Sequence, residues 1–276
     1  MNLPAPLQTL CTQQSAGVLH LTLNRPESRN AMSLQMVAEL HQVLEAAEAS
    51  AGQPDAVRVL VLRGAGGHFC AGADLKDMAA ARMRALQGGP GASGAVQQAN
   101  AAFGHLCAAY ARTPLALVAV LEGTVMGGGL GLACVADVAL ACESARFRLP
   151  ETSLGVVPAQ IAPFLVQRLG YSQAKRLAVT GGRIDAAAAL RLGLVHQVEA
   201  APDLPLALQQ VLDDIRACAP GALAATKALM AQARLHAPES LVEQAAASFA
   251  HAAQGPEGIE GTTAFLQKRK PQWALP

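Results

Sequence analysis

Charged and aromatic side chains are both scarce in this chain. Of the 276 residues, 15% are charged and 3% are aromatic, whereas 52% are hydrophobic, and the formal net charge is +1. The high hydrophobic content excludes a disordered or fibrous chain. The absence of a basic face or block argues against nucleic acid as the main partner. Alanine supplies much of the apolar content, and because alanine favours helices we expect helix to dominate.

Apolar runs of transmembrane length, leader features and metal-binding spacings are also missing. Glu122, Asp137 and Glu143 interrupt the longest apolar stretches, so we expect no membrane-spanning segment. The N-terminal decapeptide MNLPAPLQTL has neither the positive charge nor the apolar core of a signal peptide. The six cysteines are scattered without a C-x-x-C pair, which predicts reduced, mostly buried thiols, a cytoplasmic protein and no metal site.

The most informative stretch is AVLEGTVMGGGLGLACVADVALACESARFRLPETS, residues 119–153. An apolar run at 115–121 predicts a buried strand, and three glycines then precede a helix predicted at 130–136. Glycines ahead of a helix allow another molecule to approach the backbone, and the first N–H groups of the helix stay unpaired. Such an end suits a developing oxyanion, although three glycines alone more often mark a turn or tight packing.

A second stretch, RGAGGHFCAGADLKDM at 63–78, follows the same plan. It comes after a buried strand predicted at 57–62 and leads through Ala71 and Gly72 into a short helix predicted at 75–80. If the two small-residue loops lie side by side, each can offer one backbone N–H to a single carbonyl oxygen. The sequence therefore predicts a two-donor site between the loops.

Residues 81–93 contain two arginines and a glycine-rich end. This composition predicts a loop, which is either a mobile lid or a solvated connector. A solvated face is favoured for Arg82 and Arg84 over contact with a distal substrate carboxylate. A helix predicted at 95–111 follows.

The remaining elements are read from periodicity. Residues 7–23 predict two strands, and residues 34–49 predict an amphipathic helix with Ser33 as its N-cap. From residue 201 onward the pattern is wholly helical. The expected breaks in that region lie at Pro220-Gly221, Pro238 and Gly255-Pro256.

Six stretches, taken in order, resemble the enoyl-CoA hydratase/isomerase (crotonase) superfamily. They are LTLNRPESRNAM (21–32), VLRGAGGHFCAGADLKDM (61–78), AVLEGTVMGGGLGLACVADVALA (119–141), ARFRLPETSLGVVP (145–158), RLAVTGGRIDAAAALRLGLVHQV (176–198) and GTTAFLQKRKPQW (261–273). The resemblance implies an α/β fold, with a crotonase-like spiral of ββα turns at 1–200 and a helical C-terminal trimerisation region at 201–276. It also implies a homotrimer or a dimer of trimers that binds acyl-CoA and needs no cofactor beyond the coenzyme A of its substrate.

The resemblance also assigns roles to residues. The backbone N–H groups of Ala71 and Gly128 would hold the thioester oxygen, and Glu151 would be the acid/base, desolvated and with a raised pKa. Met126 and Leu130 would wall the acyl pocket, although a plain core role is nearly as good. All residues expected to contact the substrate or its CoA are Arg29, Ala31, Ala73, Asp74, Leu75, Met126, Gly127, Leu130, Gly131, Phe265 and Lys268.

The chain departs from the superfamily pattern at one position. Hydratases typically carry a glutamate where Gly131 stands, so Glu151 is left as the single carboxylate of the site. The favoured reading is a hydratase of β-branched glutaconyl-type thioesters, since LGVVPAQIAPF, with Gln160 and Pro163, resembles enzymes that hydrate 3-methylglutaconyl-CoA or isohexenylglutaconyl-CoA. The alternatives are a Δ3,Δ2-enoyl-CoA isomerase that uses Glu151 alone, and a hydrolytic or purely acyl-CoA-binding member.

Four further candidates receive structural interpretations. Asp74 is expected to be a cap or a loop ligand, and His68 and His196 have no partner spaced for catalysis. Cys70 directly precedes Ala71 and Gly72. No side chain is evident that could act as a base for its thiol, so the better interpretation is a small buried thiol.

Overall fold

The computed structural model describes residues 6–88 and 94–274. The chain divides into two compact units. One is the chain up to Ala111 together with Leu117–Leu208, and the other is Arg112–Ala116 together with the chain from Gln209. The first unit mixes strands and helices, whereas the second is dominated by helices.

Nine strands are present in the described residues. They are β1 (Leu10–Ser15), β2 (Val18–Leu23), β3 (Val59–Gly64), β4 (Ala116–Leu121), β5 (Thr124–Met126), β6 (Val138–Cys142), β7 (Arg146–Arg148), β8 (Arg183–Asp185) and β9 (Gln197–Glu199). Ten α-helices accompany them in the same residues. They are α1 (Leu34–Ala49), α2 (Leu75–Gln87), α3 (Ala95–Arg112), α4 (Gly128–Val135), α5 (Ala162–Thr180), α6 (Ala186–Arg191), α7 (Leu204–Ala217), α8 (Pro220–Ala233), α9 (Pro238–Gln254) and α10 (Pro256–Leu266).

The strands form a large sheet and a small one. The large sheet has the order β1-β2-β3-β4-β6-β9, and the small one has the order β5-β7-β8. β1 and β2 are antiparallel, whereas β2 with β3, β4 with β6, and β6 with β9 are parallel. Parallel neighbours require a crossover, which the intervening helices supply. β4 is buried at every position, as its unbroken apolar run predicts.

The first helix confirms the reading of its sequence. Ser33 is the N-cap of α1, and its hydroxyl accepts a hydrogen bond from the Met36 amide at 3.2 Å. The apolar side chains at helical spacing, Leu40 and Val43 among them, are buried. Hydroxyl caps satisfy one of the unpaired donors at a helix start.

The second helix is longer than predicted. α2 continues to Gln87, so residues 81–87 are helical, and the prediction of a loop there is wrong. The reason is local, because AAARMRALQ consists almost entirely of strong helix formers. Residues 89–93, the rest of that predicted loop, lie outside the described residues. Arg82 and Arg84 are exposed on α2, as expected for a solvated face.

The small sheet was not predicted. Its strands β5, β7 and β8 have three residues each, which is too short for an alternating pattern to show. They matter for function because β5 leads directly into Gly127 and β7 leads through two residues to Glu151.

The second unit, taken by itself, is tied together by side-chain contacts at helix ends. The Glu257 carboxylate accepts hydrogen bonds from the Gly221 and Ala222 amides at 2.9 and 3.0 Å, at the start of α8. The Trp273 indole N–H donates to the Ala217 carbonyl at 3.0 Å. The predicted helix breaks at the prolines of this region are confirmed. None of the helices in the described ranges combines the length and apolar character needed to cross a bilayer.

Candidate active site

The glycine-rich loop at 127–129 forms a turn that exposes the start of a helix. Gly127 has φ +49° and ψ −119°, a conformation that L side chains rarely adopt, and its N–H donates to the Arg148 carbonyl at 3.1 Å. α4 begins at Gly128, whose N–H is the first of the helix and has no intrahelical acceptor. In the described part of the chain no other acceptor takes its place. The Gly128 amide is therefore available to an external oxygen, as predicted.

In the loop at 71–73, the structure corrects the prediction of one oxyanion donor. The Ala71 N–H donates to the Arg29 carbonyl at 3.0 Å, so the prediction of Ala71 as an oxyanion donor is wrong. The Gly72 carbonyl accepts from the Met32 amide at 2.7 Å. Because the peptide bond is trans, the N–H of Ala73 points opposite to that carbonyl and away from Met32. Within residues 6–88 and 94–274 the Ala73 N–H has no acceptor, and Ala73 is exposed, so its amide is the available donor.

The two loops lie side by side. Cys70 pairs with β5, its amide donating to Thr124 and its carbonyl accepting from the Met126 amide, both at 2.9 Å. A Cβ added at Gly72 would lie 3.2 Å from the Met126 carbonyl oxygen and 3.6 Å from the Gly127 Cα. Gly72 also has φ +97°, so both space and conformation favour glycine there. The pairing of the loops that the sequence predicted is confirmed, with Ala73 in place of Ala71.

Glu151 faces the same turn. It lies at the start of a short 3₁₀ helix, Glu151–Leu154, that follows β7. A Cβ added at Gly127 would lie 3.0 Å from its Oε1. Its Oε2 is buried and has no hydrogen-bond partner in the described residues. Burial raises the pKa of Glu151, and a backbone hydrogen bond opposes that rise, so the predicted direction of the pKa shift is confirmed.

The position of the absent second carboxylate is filled by apolar groups. Gly131 lies one helical turn beyond Gly127, and its amide donates to the Gly127 carbonyl at 3.1 Å. A Cβ added at Gly131 would lie 3.2 Å from the Phe103 Cζ and 3.2 Å from the Ile161 Cγ1. The Phe103 ring also lies 3.4 Å from the position of a Cβ at Gly128. Phe103 and Ile161 were missed in the sequence, because nothing in the local pattern links them to the glycines.

The structural interpretations of the other polar candidates hold. Asp74 is buried, forms an ion pair with Arg25 at 2.7 Å and caps α2 by accepting from the Lys76 amide. Burial by itself would raise the pKa of Asp74, but the hydrogen bonds from Arg25 and from that amide lower it below its usual value. Nδ1 of His68 accepts from the Thr124 amide at 3.1 Å.

The remaining histidine and cysteine candidates are also structural. Nδ1 of His196 accepts from the Ala139 amide at 2.9 Å. Cys70 is buried, and burial raises the pKa of its thiol to about 12, which is unsuited to a nucleophile. In the residues that the structure describes, no three His, Cys, Asp or Glu side chains cluster so that they could hold a metal ion.

The other predicted contact residues are spread over the two units. Arg29 and Leu75 are exposed, and Ala31 and Met126 are partly buried. Leu130 is buried and lies near the buried apolar side chains of Phe147 and Leu177, which favours the core interpretation. Phe265 and Lys268 are exposed in the second unit. The roles of these residues in binding CoA stay predictions.

With this geometry established, comparison with known proteins decides the family. Residues 13–275 match the family model described as enoyl-CoA hydratase/isomerase. The chain belongs to that family. Its members act on acyl-CoA substrates, and the predicted crotonase-like α/β fold is confirmed by the solved structures of the relatives below.

Two solved structures and one curated relative show the similarity. An enoyl-CoA hydratase/isomerase from Marinobacter aquaeolei is 49% identical, with a TM-score of 0.91 over 97% of this chain and 99% of that one. Pseudomonas aeruginosa AtuE is 54% identical, with a TM-score of 0.90 over 97% of this chain and 100% of that one. The 2,3-dehydroadipyl-CoA hydratase of Escherichia coli is 33% identical over 97% of this chain and 99% of its own length.

Proposed function

We propose that this enoyl-CoA hydratase/isomerase family member hydrates an α,β-unsaturated acyl-CoA, with Glu151 as its acid/base. The state of the Glu151 carboxyl carries the proposal. It lies against the Gly127 turn, one of its oxygens is buried without a protein partner, and burial raises its pKa. Such a carboxyl keeps its proton at a pH where an exposed glutamate has lost it, so it can donate that proton to carbon.

The mechanism uses the two free amides and one carboxyl. The Ala73 and Gly128 N–H groups hold the thioester oxygen as it gains the negative charge of an enolate. That charge arises as the oxygen of a water molecule bonds to the β-carbon, and Glu151 gives its proton to the α-carbon, which removes the charge from the oxygen again. The proton that this water loses passes to the Glu151 carboxylate. One water is thereby added across the double bond, and Glu151 returns to its starting state.

We further propose a β-branched, glutaconyl-type substrate, such as 3-methylglutaconyl-CoA or isohexenylglutaconyl-CoA. An alkyl group on the β-carbon stabilises partial positive charge there, so water addition depends less on a strong base and more on protonation of the α-carbon. This fits a site in which Phe103 and Ile161 stand where a second carboxylate would be. The Escherichia coli relative is named for 2,3-dehydroadipyl-CoA, whose acyl group also carries a second carboxyl group.

A second candidate is favoured by the single carboxylate itself. A Δ3,Δ2-enoyl-CoA isomerase needs one base, which takes a proton from C2 and returns it to C4. Glu151 could do this alone, starting from its ionised form. A hydrolytic or purely acyl-CoA-binding protein is the third candidate, and a purely binding protein would keep the CoA loops without needing Glu151.

One assay separates these functions. The purified protein is incubated with 3-methylglutaconyl-CoA, isohexenylglutaconyl-CoA, crotonyl-CoA and a 3-enoyl-CoA, and the products are followed by mass. Addition of the mass of one water identifies a hydratase, an isobaric product with a changed retention time identifies an isomerase, and free CoA identifies a hydrolase. Absence of hydration on every 2-enoyl substrate would refute the proposal.

The role of Glu151 is tested by Glu151→Gln. This change keeps the shape of the side chain but removes its exchangeable carboxyl proton, so turnover should be abolished while CoA-ester binding survives. Turnover is measured by the mass assay and binding by calorimetry with the substrate ester. Near-normal turnover would remove Glu151 from the mechanism.

The quaternary structure and the CoA contacts belong to the same proposal. We propose a homotrimer or a dimer of trimers, supported by large apolar side chains that the second unit leaves exposed, among them Val242, Phe249 and Ile259. Phe265 and Lys268 would reach the nucleotide of a neighbouring subunit, and no cofactor other than the coenzyme A of the substrate would be required. Light scattering of the purified protein gives the subunit number directly.

A further inference from the structure

Two side-chain amides lie against each other beside the acyl site. Nε2 of Gln160 donates a hydrogen bond to Oδ1 of Asn100 at 2.8 Å. Asn100, Phe103 and Gly104 are three and four residues apart on α3, so they share one face of that helix. Gln160 immediately precedes Ile161, which is buried. The pair of amides therefore joins the helix that carries Phe103 to the segment that carries Ile161.

The glycine on this face of α3 has a structural reason. A Cβ added at Gly104 would collide with the carboxamide of Gln160, whose Oε1 is the nearest atom. Glycine inside a helix is destabilising compared with alanine, so its presence requires an explanation. The space that it leaves is occupied by the Gln160 amide. The position of Gln160 is therefore built into α3.

The amide pair borders the apolar wall of the acyl site. Phe103 and Ile161 both contact the space next to Gly131, and Phe103 also lies over Gly128, which supplies an oxyanion donor. Asn100 and Gln160 are the polar neighbours of these two apolar residues on α3 and on the segment before α5. A substrate whose thioester oxygen is held at Gly128, and whose chain runs along Phe103, would bring its far end toward the pair.

Three N–H groups of the pair face no protein acceptor among the described residues, so the pair can donate hydrogen bonds to a ligand. Oδ1 of Asn100 accepts from Gln160, and Oε1 of Gln160 is turned against Gly104. In the described chain the remaining N–H groups, two on Nδ2 of Asn100 and one on Nε2 of Gln160, have no protein acceptor. Asn100 is exposed and Gln160 is partly exposed, so a ligand can reach them. A carboxylate accepts hydrogen bonds through both of its oxygens, so it can take up these N–H groups.

We propose that the Asn100–Gln160 amide pair binds the second carboxylate of a dicarboxylic 2-enoyl-CoA and so selects glutaconyl-type substrates. This inference rests on the proposed hydratase function and adds to it the group that recognises the far end of the acyl chain. The alternative recognition residues, Arg82 and Arg84, point from α2 into solvent as exposed side chains.

The test compares two β-branched substrates that differ at the far end. 3-Methylglutaconyl-CoA carries the second carboxylate, and 3-methylcrotonyl-CoA lacks it. The measured quantity is the ratio of kcat/KM for the first substrate to kcat/KM for the second. Asn100→Asp has nearly the shape of asparagine but replaces two donors by a negative charge. Gln98→Glu adds the same charge to an exposed position of α3 two residues from Asn100, off the face that carries the pair, and serves as the matched control.

The expected result is a fall of the ratio by about 10- to 100-fold in Asn100→Asp, because hydrogen bonds to a charged group are lost. The ratio should stay at its wild-type value in Gln98→Glu. Gln160→Leu should lower the ratio in the same direction as Asn100→Asp. An unchanged ratio in both Asn100→Asp and Gln160→Leu would overturn the inference while leaving the hydratase function intact. A wild-type protein that hydrates neither of these two substrates would overturn the inference, and the hydratase function is overturned as well only if no other 2-enoyl substrate of the mass assay is hydrated.

Discussion

Removing the Ala73 N–H should reduce turnover without unfolding the protein. Ala73→Pro replaces that N–H with a ring carbon, and in the described residues the Ala73 N–H donates to no protein group. Loss of one donor to an oxyanion typically costs about 2.7–4 kcal/mol, or about 10²–10³ in kcat. Because the charge on the oxygen develops in the transition state, kcat should fall far more than KM rises.

Ala71→Pro gives the opposite signature. The Ala71 N–H donates to the Arg29 carbonyl at 3.0 Å, and that bond ties the first loop to the turn after β2. Its loss leaves a backbone acceptor without its partner and should lower the free energy of unfolding by about 1–3 kcal/mol. The two proline variants therefore separate a donor to the substrate from a donor to the fold.

Steady-state kinetics on the best substrate of the mass assay, with thermal unfolding followed by circular dichroism, distinguishes these cases. Ala73→Gly keeps the N–H and is the control for the side chain, so its kcat should stay close to that of the wild type. The reasoning would be refuted by an Ala73→Pro protein that is folded and has wild-type kcat. It would equally be refuted if Ala71→Pro were the variant that loses turnover while keeping its unfolding temperature.

Two further predictions concern the charge of Glu151 and the packing of the glycine helix. Burial raises the pKa of Glu151, and the proposed hydration starts from the protonated carboxyl, so kcat/KM should fall as pH rises through that pKa. An isomerase starts from the carboxylate, so its activity would instead fall as pH falls through the same pKa. A pH–rate profile decides between the two functions. A Cβ at Gly129 would lie 2.6 Å from the Cys70 carbonyl oxygen, so Gly129→Ala should lower the free energy of unfolding by about 1–3 kcal/mol. Urea unfolding measures this change, and an unchanged urea midpoint would contradict the close contact of the two loops.

The amino-acid sequence by itself determined the elements whose signals are local. The buried run of β4 and the amphipathic spacing of α1 after Ser33 appear in the structure as predicted, because period and capping are properties of a few adjacent residues. The motif context also predicted Gly128 and Glu151 as site residues, and in the structure Glu151 lies against Gly127, the residue before Gly128. The sequence could not show which way each N–H group points in the loop at 71–73. The positive φ of Gly72 interrupts the alternating N–H directions that a regular strand would have.

Only the tertiary structure decided which amide is free and what stands beside Gly131. The Ala71 N–H is taken by Arg29, from a turn some forty residues earlier in the chain, so the donor is Ala73. The space at Gly131 is filled by Phe103 and Ile161, each about thirty residues away in opposite directions along the chain. Local periodicity carries no information about such contacts, because they arise only when separate elements pack together.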